Sequence, residues 1–221
     1  MTLIQDVKAP DDSSLVFSLN ENENTDKDVA GVAWLNPVVS RKSGLKISFK
    51  PSITTDINYY GLQKYPQGFA FILTSNPIDR TTIGEKRSGL GFDGIYNSVA
   101  FFFDFITNPD KLDANFPHFS ITSNLNGPIK SICADPQLCN IKIPNFYDNE
   151  MDDFKDNMKI SIELFNGQVK VFFNEKTPSI VRNLPEFGYI MDNDIVHFGV
   201  SSAMTLYKGV KIQDLQLFSS N

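Results

Sequence analysis

Histidine, cysteine and tryptophan are scarce in this chain: two, two and one residue among 221. His118 and His197 are the only imidazoles and no Gly-x-Ser-x-Gly turn occurs, so a nucleophilic serine triad lacks its parts. Two thiols cannot close a structural zinc tetrahedron, and Cys133 and Cys139 lack the close spacing of a zinc pair. No apolar run approaches the ~20 residues that a helix needs to span a bilayer. The most apolar, Ser98 to Phe105, stops far short, so no membrane span is expected. Positive charge is in deficit: 20 Lys and Arg against 26 Asp and Glu give a formal net charge of −6 and a pI near 4.9. Such a chain repels a phosphate backbone on average, which argues against nucleic acid as a partner. The opening residues, Met1 to Lys8, have no apolar h-region and do not read as a secretory signal. None of the twenty asparagines lies in an Asn-x-Ser/Thr sequon, which leans against a eukaryotic secretory history. Helical periodicity is nearly absent too; Asp148–Asp156 reads as a surface turn or a single helical turn.

What the chain does have is apolar surface, 41% of its residues with 19 Phe among them, enough to repay the ordering entropy of one core. One domain over residues 1–221 is expected, with a solvated polar loop at Asn20–Asp28. Short runs bounded by Gly, Pro, Asn and Asp predict strands near Leu15–Leu19, Val29–Leu35, Leu45–Phe49, Gly68–Thr74, Val99–Phe105 and Phe119–Thr122. The second half adds Lys159–Phe165, Gln168–Phe173, Ile180–Arg182, Ile195–Ser201 and Val210–Phe218. Asn166-Gly167 accepts the positive φ values of a type I′ turn, so the strands around it should form a hairpin. Ser98-Val-Ala-Phe-Phe-Phe-Asp104 is apolar on both faces, as a strand covered on both sides must be. Strands without helices predict an all-β sandwich or barrel.

Two-carboxylate glycoside hydrolysis needs an acid and a nucleophile flanking one bond. The central strand offers the single carboxylate of Asp104, so the chain is expected not to be an enzyme. Asp104, Asn108, Asp110 and Asp113 then place four oxygen-bearing side chains within ten residues. A hard cation such as Ca²⁺ takes six to eight oxygens in flexible geometry. Asp104, Asn108, Asp113 and the Ile106 carbonyl could supply several of them; an ordinary polar loop turning at Asn108-Pro109-Asp110 is the other reading. Cys133 and Cys139 allow either a local disulfide or two unrelated buried thiols. The turn formers Asp135 and Pro136 between them favour the disulfide, which implies an oxidising compartment.

Four stretches resemble one family in order and spacing: Gly31-Val-Ala-Trp34-Leu-Asn-Pro-Val38; Gln67-Gly-Phe-Ala-Phe-Ile-Leu73; Gly89-Leu-Gly-Phe-Asp-Gly-Ile-Tyr-Asn-Ser-Val-Ala-Phe-Phe-Phe-Asp104; and Phe198-Gly-Val-Ser-Ser-Ala-Met204 with Ile212-Gln-Asp-Leu-Gln-Leu-Phe218. Over roughly residues 14 to 219 the chain resembles the L-type lectins, the legume seed lectins and cargo lectins of the early secretory pathway. The resemblance implies a concanavalin A-like jelly roll, a flat back sheet and a curved front sheet, with metal and sugar sites in loops over the front sheet. It implies Ca²⁺ held by Asp104, Asn108, Asp113 and the Ile106 carbonyl, with His118 a hydrogen-bonded neighbour of that loop.

The same resemblance implies a sugar site around Gln67, Ser88, Gly89, Asn108 and Tyr207, with glycans or glycoproteins as partners. Pairing of two copies through the back sheet and a secreted, cell-surface or secretory-lumen setting belong to the same expectation. Two departures count against it. Phe102 stands where the plant lectins carry a glutamate for a second metal, so one metal is expected. Gln67 stands where the family has a sugar-gripping aspartate, and a neutral amide forfeits a charge-assisted hydrogen bond of about 1.5–3 kcal/mol. A degenerate lectin-fold interaction module, or assembly subunit, without sugar binding is therefore the alternative.

Overall fold

Alternation of apolar and polar residues is realised as two seven-stranded sheets packed face to face. The computed structural model describes residues 1–5, 7–17, 29–39, 44–53, 67–79, 81–86, 89–105, 117–124, 141–143, 158–174, 176–187, 196–204 and 210–220. The strands in chain order are β1 (Thr2–Gln5), β2 (Val7–Asp11), β3 (Ser14–Phe17), β4 (Val29–Val39), β5 (Gly44–Ile53), β6 (Gly68–Thr74) and β7 (Ser98–Asp104). They continue as β8 (His118–Asn124), β9 (Ile141–Lys142), β10 (Ile160–Phe165), β11 (Gln168–Phe173), β12 (Ile180–Asn183), β13 (Val196–Met204) and β14 (Val210–Ser220). The front sheet runs β1-β4-β13-β6-β7-β8-β9 and the back sheet β12-β11-β10-β5-β14-β3-β2, with antiparallel pairings throughout.

Between the sheets lies an aromatic core. Phe69 and Phe71 of β6, Phe103 of β7 and Phe49 of β5 are fully buried, and Phe69 stacks on Phe103 with ring centroids 4.6 Å apart. Each fully buried phenylalanine contributes about 1.5–3 kcal/mol through area removed from water. The Asn166-Gly167 hairpin is present, with φ values of 49° and 72° and Phe165 paired with Gln168. All seven residues of β7 are buried, as its two-faced apolar pattern requires. Val99, Phe101 and Phe103 face the main core, while Ala100 and Phe102 join a second cluster on the opposite face of the front sheet.

The structure departs from the sequence reading in three places. β1, β2 and β9 are additional strands, and their short sequences acquire strand geometry from partners β4, β3 and β8. β4 runs on through Pro37, where the pairing with β13 shifts register between Val196 and Phe198; a bulge is where a residue without an N–H is tolerated. β5 likewise passes Pro51, beyond the last residue, Phe49, that pairs with β10. The Asn20–Asp28 loop, the Asp148–Asp156 turn and the Cys133–Cys139 pair lie outside the described residues.

Candidate functional site

β7 delivers its final residue to the outer face of the front sheet. By alternation from the inward Phe101 and Phe103, Asp104 shares that face with Phe102. The strand register sets Gly68, Asp104, His118 and Lys142 directly opposite one another in one transverse row. Asp104 is 0% and His118 1% exposed, and each is engaged by a neighbouring group. A carboxylate and an imidazole at such burial need compensation from partners, because taking an ionised group out of water is costly.

Gly68 fixes the neighbouring strand. Its φ is +142°, and a Cβ there would stand 2.1 Å from the Phe103 carbonyl oxygen. Only glycine permits this approach of two backbones. Gln67 is held on both sides as a result: its N–H donates to the Ala203 carbonyl at 3.2 Å, and its carbonyl accepts from the Phe105 N–H at 2.9 Å. Gln67 is buried, at 8% exposure, and among the described residues its Oε1 accepts no hydrogen bond. It is an open acceptor on the residue that precedes Gly68.

Above this face lies the connection between β6 and β7, residues 75–97. Its neck is closed by Ser75 N–H to the Asn97 carbonyl at 3.3 Å, and by the Asn97 amide donating to Asn76 Oδ1 at 3.1 Å. Its body is tied by three 2.7 Å bonds: Gly84 N–H to Gly91 O, Gly91 N–H to Glu85 O and Glu85 N–H to Asp93 O. Gly91 has φ +74°, and a Cβ on it would reach 3.2 Å from Ser201 Cβ on β13. Phe92 meets Phe102 edge to face at 5.4 Å, and Trp34 Nε1 donates to the Thr82 carbonyl at 2.8 Å.

Gly89 sits in this body with no room for a side chain to spare, its Cβ position lying 3.0 Å from Glu85 Cβ and 3.1 Å from Asp93 Cβ. Its N–H donates to the Lys86 carbonyl at 3.1 Å, so a ligand reaches that donor by sharing it or by opening the turn.

Gln67, Gly89 and Asp104 are thus described; Asp104 and the Gly89 segment share the outer side of the front sheet, and the Gln67 backbone adjoins Asp104 through the pairing of Gly68 with Asp104 and the bond from the Phe105 N–H. Ser88, Ile106, Asn108, Asp113 and Tyr207 lie outside the described residues. Sequence reasoning missed Asp93, a carboxylate at 1% exposure beneath Gly89. Its one signal is an acid enclosed by Gly91 and Gly94 in a turn-rich stretch. Among the described residues no group of three or more His, Cys, Asp or Glu side chains could hold a metal ion. Asp104 offers a buried carboxylate of the kind a hard cation takes; the other oxygens of a six- to eight-fold shell would have to come from residues 106–116.

No protein-family model matches this sequence, and no curated protein does. Solved structures do. The lectin from Bauhinia forficata, solved in complex with GalNAc, superposes with a TM-score of 0.68 at 16% identity, covering 100% of this chain and 92% of that one. Lectin I-B4 from Griffonia simplicifolia, in its metal-free form, gives 0.67 at 15% identity over 99% and 92%. The carbohydrate recognition domain of Emp46p gives 0.62 at 16% over 98% and 87%. Two antiparallel sheets in this order, superposed along nearly their whole length on legume lectins and on a cargo-lectin domain, show that the chain has the L-type lectin fold, a concanavalin A-like jelly roll.

Proposed function

We propose that the chain is a non-enzymatic, Ca²⁺-dependent glycan-binding module formed by residues 1–221 as one domain. The observation that carries this reading is the row of Gly68, buried Asp104 and buried His118 at the edge of the front sheet, with the open Gln67 acceptor beside it. Asp104, Asn108 and Asp113 with the Ile106 carbonyl would hold the ion, which when bound supplies a fixed positive charge that ties these oxygens together. Gln67, Ser88, Gly89, Asn108 and Tyr207 would meet the sugar. The chain's own contribution is then recognition: Gln67 Oε1 accepts a hydroxyl proton, and the Asn108 amide donates to a hydroxyl oxygen.

Glycans or glycoproteins in a secreted, cell-surface or secretory-lumen setting are the proposed partners, and a Cys133–Cys139 disulfide belongs to the same proposal. So does pairing of two copies through the back sheet, whose outer face exposes Phe165, Val181 and Phe218. Gln67 favours a second reading, an interaction module that keeps the fold without sugar binding, because a neutral amide grips hydroxyls less strongly than a carboxylate.

A broad glycan array with Ca²⁺ and with chelator separates the two readings. Binding that disappears with chelator is the expected result, and silence in both conditions overturns the glycan reading in favour of the second. Calorimetric Ca²⁺ titration of the Asp104→Ala and Asp113→Ala variants tests the ion by itself. Loss of binding is expected, and unchanged stoichiometry and affinity would remove these residues from the site.

A further inference from the structure

We propose that Phe102 and Phe92 are positioning residues: together they keep the Gly89 segment docked on the outer face of the front sheet, whether or not a cation is bound. Phe102 lies two residues before Asp104 on the same face of β7. A phenyl ring offers a cation no ligand atom, so its contribution at this position is packing. Both rings are fully buried and meet at 5.4 Å with an interplanar angle of 80°, the edge-to-face arrangement that aromatic pairs favour. The contact joins the strand that ends in Asp104 to the segment that carries Gly89.

Further anchors of the segment among the described residues are uncharged. Leu90 is 0% and Ile95 6% exposed in the same apolar cluster as Phe102. Gly91 lies against Ser201, Ala30 and Val32; the Trp34 indole N–H holds the Thr82 carbonyl; and Asn76 and Asn97 close the neck. None of these contacts passes through a carboxylate, so removing a cation takes nothing from them. These contacts hold one wall of the site through the fold, and calcium dependence is expected chiefly of the segment that follows Asp104. The consequence for ligand affinity rests on the glycan reading above; the docking of the segment does not.

Hydrogen exchange read by mass spectrometry on the full chain, in Ca²⁺ and in EGTA, tests the proposal. The reporters are the bonded N–H groups of Gly84, Glu85, Gly91, Phe92 and Asp93. In the wild type they are expected to be equally protected in both buffers. In Phe92→Ala they should exchange about tenfold faster or more, because the segment opens locally, while the β10–β11 hairpin keeps its protection. Phe92→Ala leaves β7 untouched and stays informative if Phe102→Ala fails to fold; Phe102→Leu should restore most of the protection. Where glycan binding is present, Phe92→Ala should weaken it by about tenfold without altering Ca²⁺ stoichiometry, since local opening taxes the competent state. Deprotection of these amides by EGTA alone, or unchanged protection in Phe92→Ala, would overturn the proposal. An array silent in all conditions would instead defeat the glycan reading, and the exchange result would still decide the positioning role.

Discussion

Substituting alanine for Gly68 places a methyl group 2.1 Å from the Phe103 carbonyl oxygen, 3.1 Å from its carbon and 3.2 Å from Asp104 Cα. All three are backbone atoms, so no side-chain rotation relieves the clash. β6 and β7 must separate by about 0.9 Å before the shortest contact reaches 3.0 Å. Two penalties combine. Holding an L-residue at φ +142° costs about 1–3 kcal/mol, and forcing the two strands apart in a packed sheet costs about 1–3 kcal/mol more. A total of about 2–6 kcal/mol is a large part of the 5–15 kcal/mol that holds a typical domain together. At this chain length that corresponds to a fall in Tm of roughly 4–24 °C, measurable by scanning calorimetry.

Gly94→Ala is the control, because φ there is +97° with nothing within 4 Å of the added Cβ; it should show only the backbone penalty, about 1–3 kcal/mol. A Gly68→Ala variant melting within about 2 °C of the wild type, or no lower than Gly94→Ala, would refute the argument that this close approach is required. The same variant should weaken ligand capture, since Gly68 sets Gln67 and Asp104 against each other.

Gly167→Ala, at φ +72° in the hairpin turn, is expected to lower stability by about 1 kcal/mol, read from the urea midpoint. Asp79 accepts hydrogen bonds from the Thr81 hydroxyl, the Thr81 N–H and the Thr82 hydroxyl, which together hold its carboxyl below the ordinary value of 3.8. Its contribution is therefore present above that value and lost as pH falls through the lowered one, so the difference in urea midpoint between wild type and Asp79→Asn should shrink in that acid range. Phe218→Lys places a charge on the exposed outer face of the back sheet; light scattering is expected to read a dimer for the wild type and a monomer for the variant, with the melting temperature losing its dependence on protein concentration.

The parts of the fold legible in the sequence are those whose own residues enforce the geometry. Asn166-Gly167 tolerates two positive φ values, and the Phe101-Phe102-Phe103 run leaves no polar face to expose, so both could be read locally. β1 and β2 could not: Thr2–Gln5 and Val7–Asp11 are short and show no sustained alternation, and become strands because β4 and β3 offer unpaired backbone. Pro37 and Pro51 read as terminators, yet β4 shifts register against β13 at the first, and at the second β5 keeps its pairing with β14 beyond the end of β10. In the site, Asp104 stood out as the acid that ends an apolar strand, and Gln67 only through the resemblance to the lectins. The covering of the outer face was hidden, because Leu90, Phe92 and Ile95 lie among glycines without strand or helix period, and only the tertiary fold brings them over Phe102.

Trp34 is the chain's single indole; a Cβ on Gly199 would come within 2.6 Å of its ring, and it bonds to the Thr82 carbonyl. The one tryptophan, excitable apart from the seven tyrosines, thus lies beneath the very segment whose departure would wet it. Emission near the blue limit in the closed molecule, sliding red when the cover lifts, would let every titration be watched label-free.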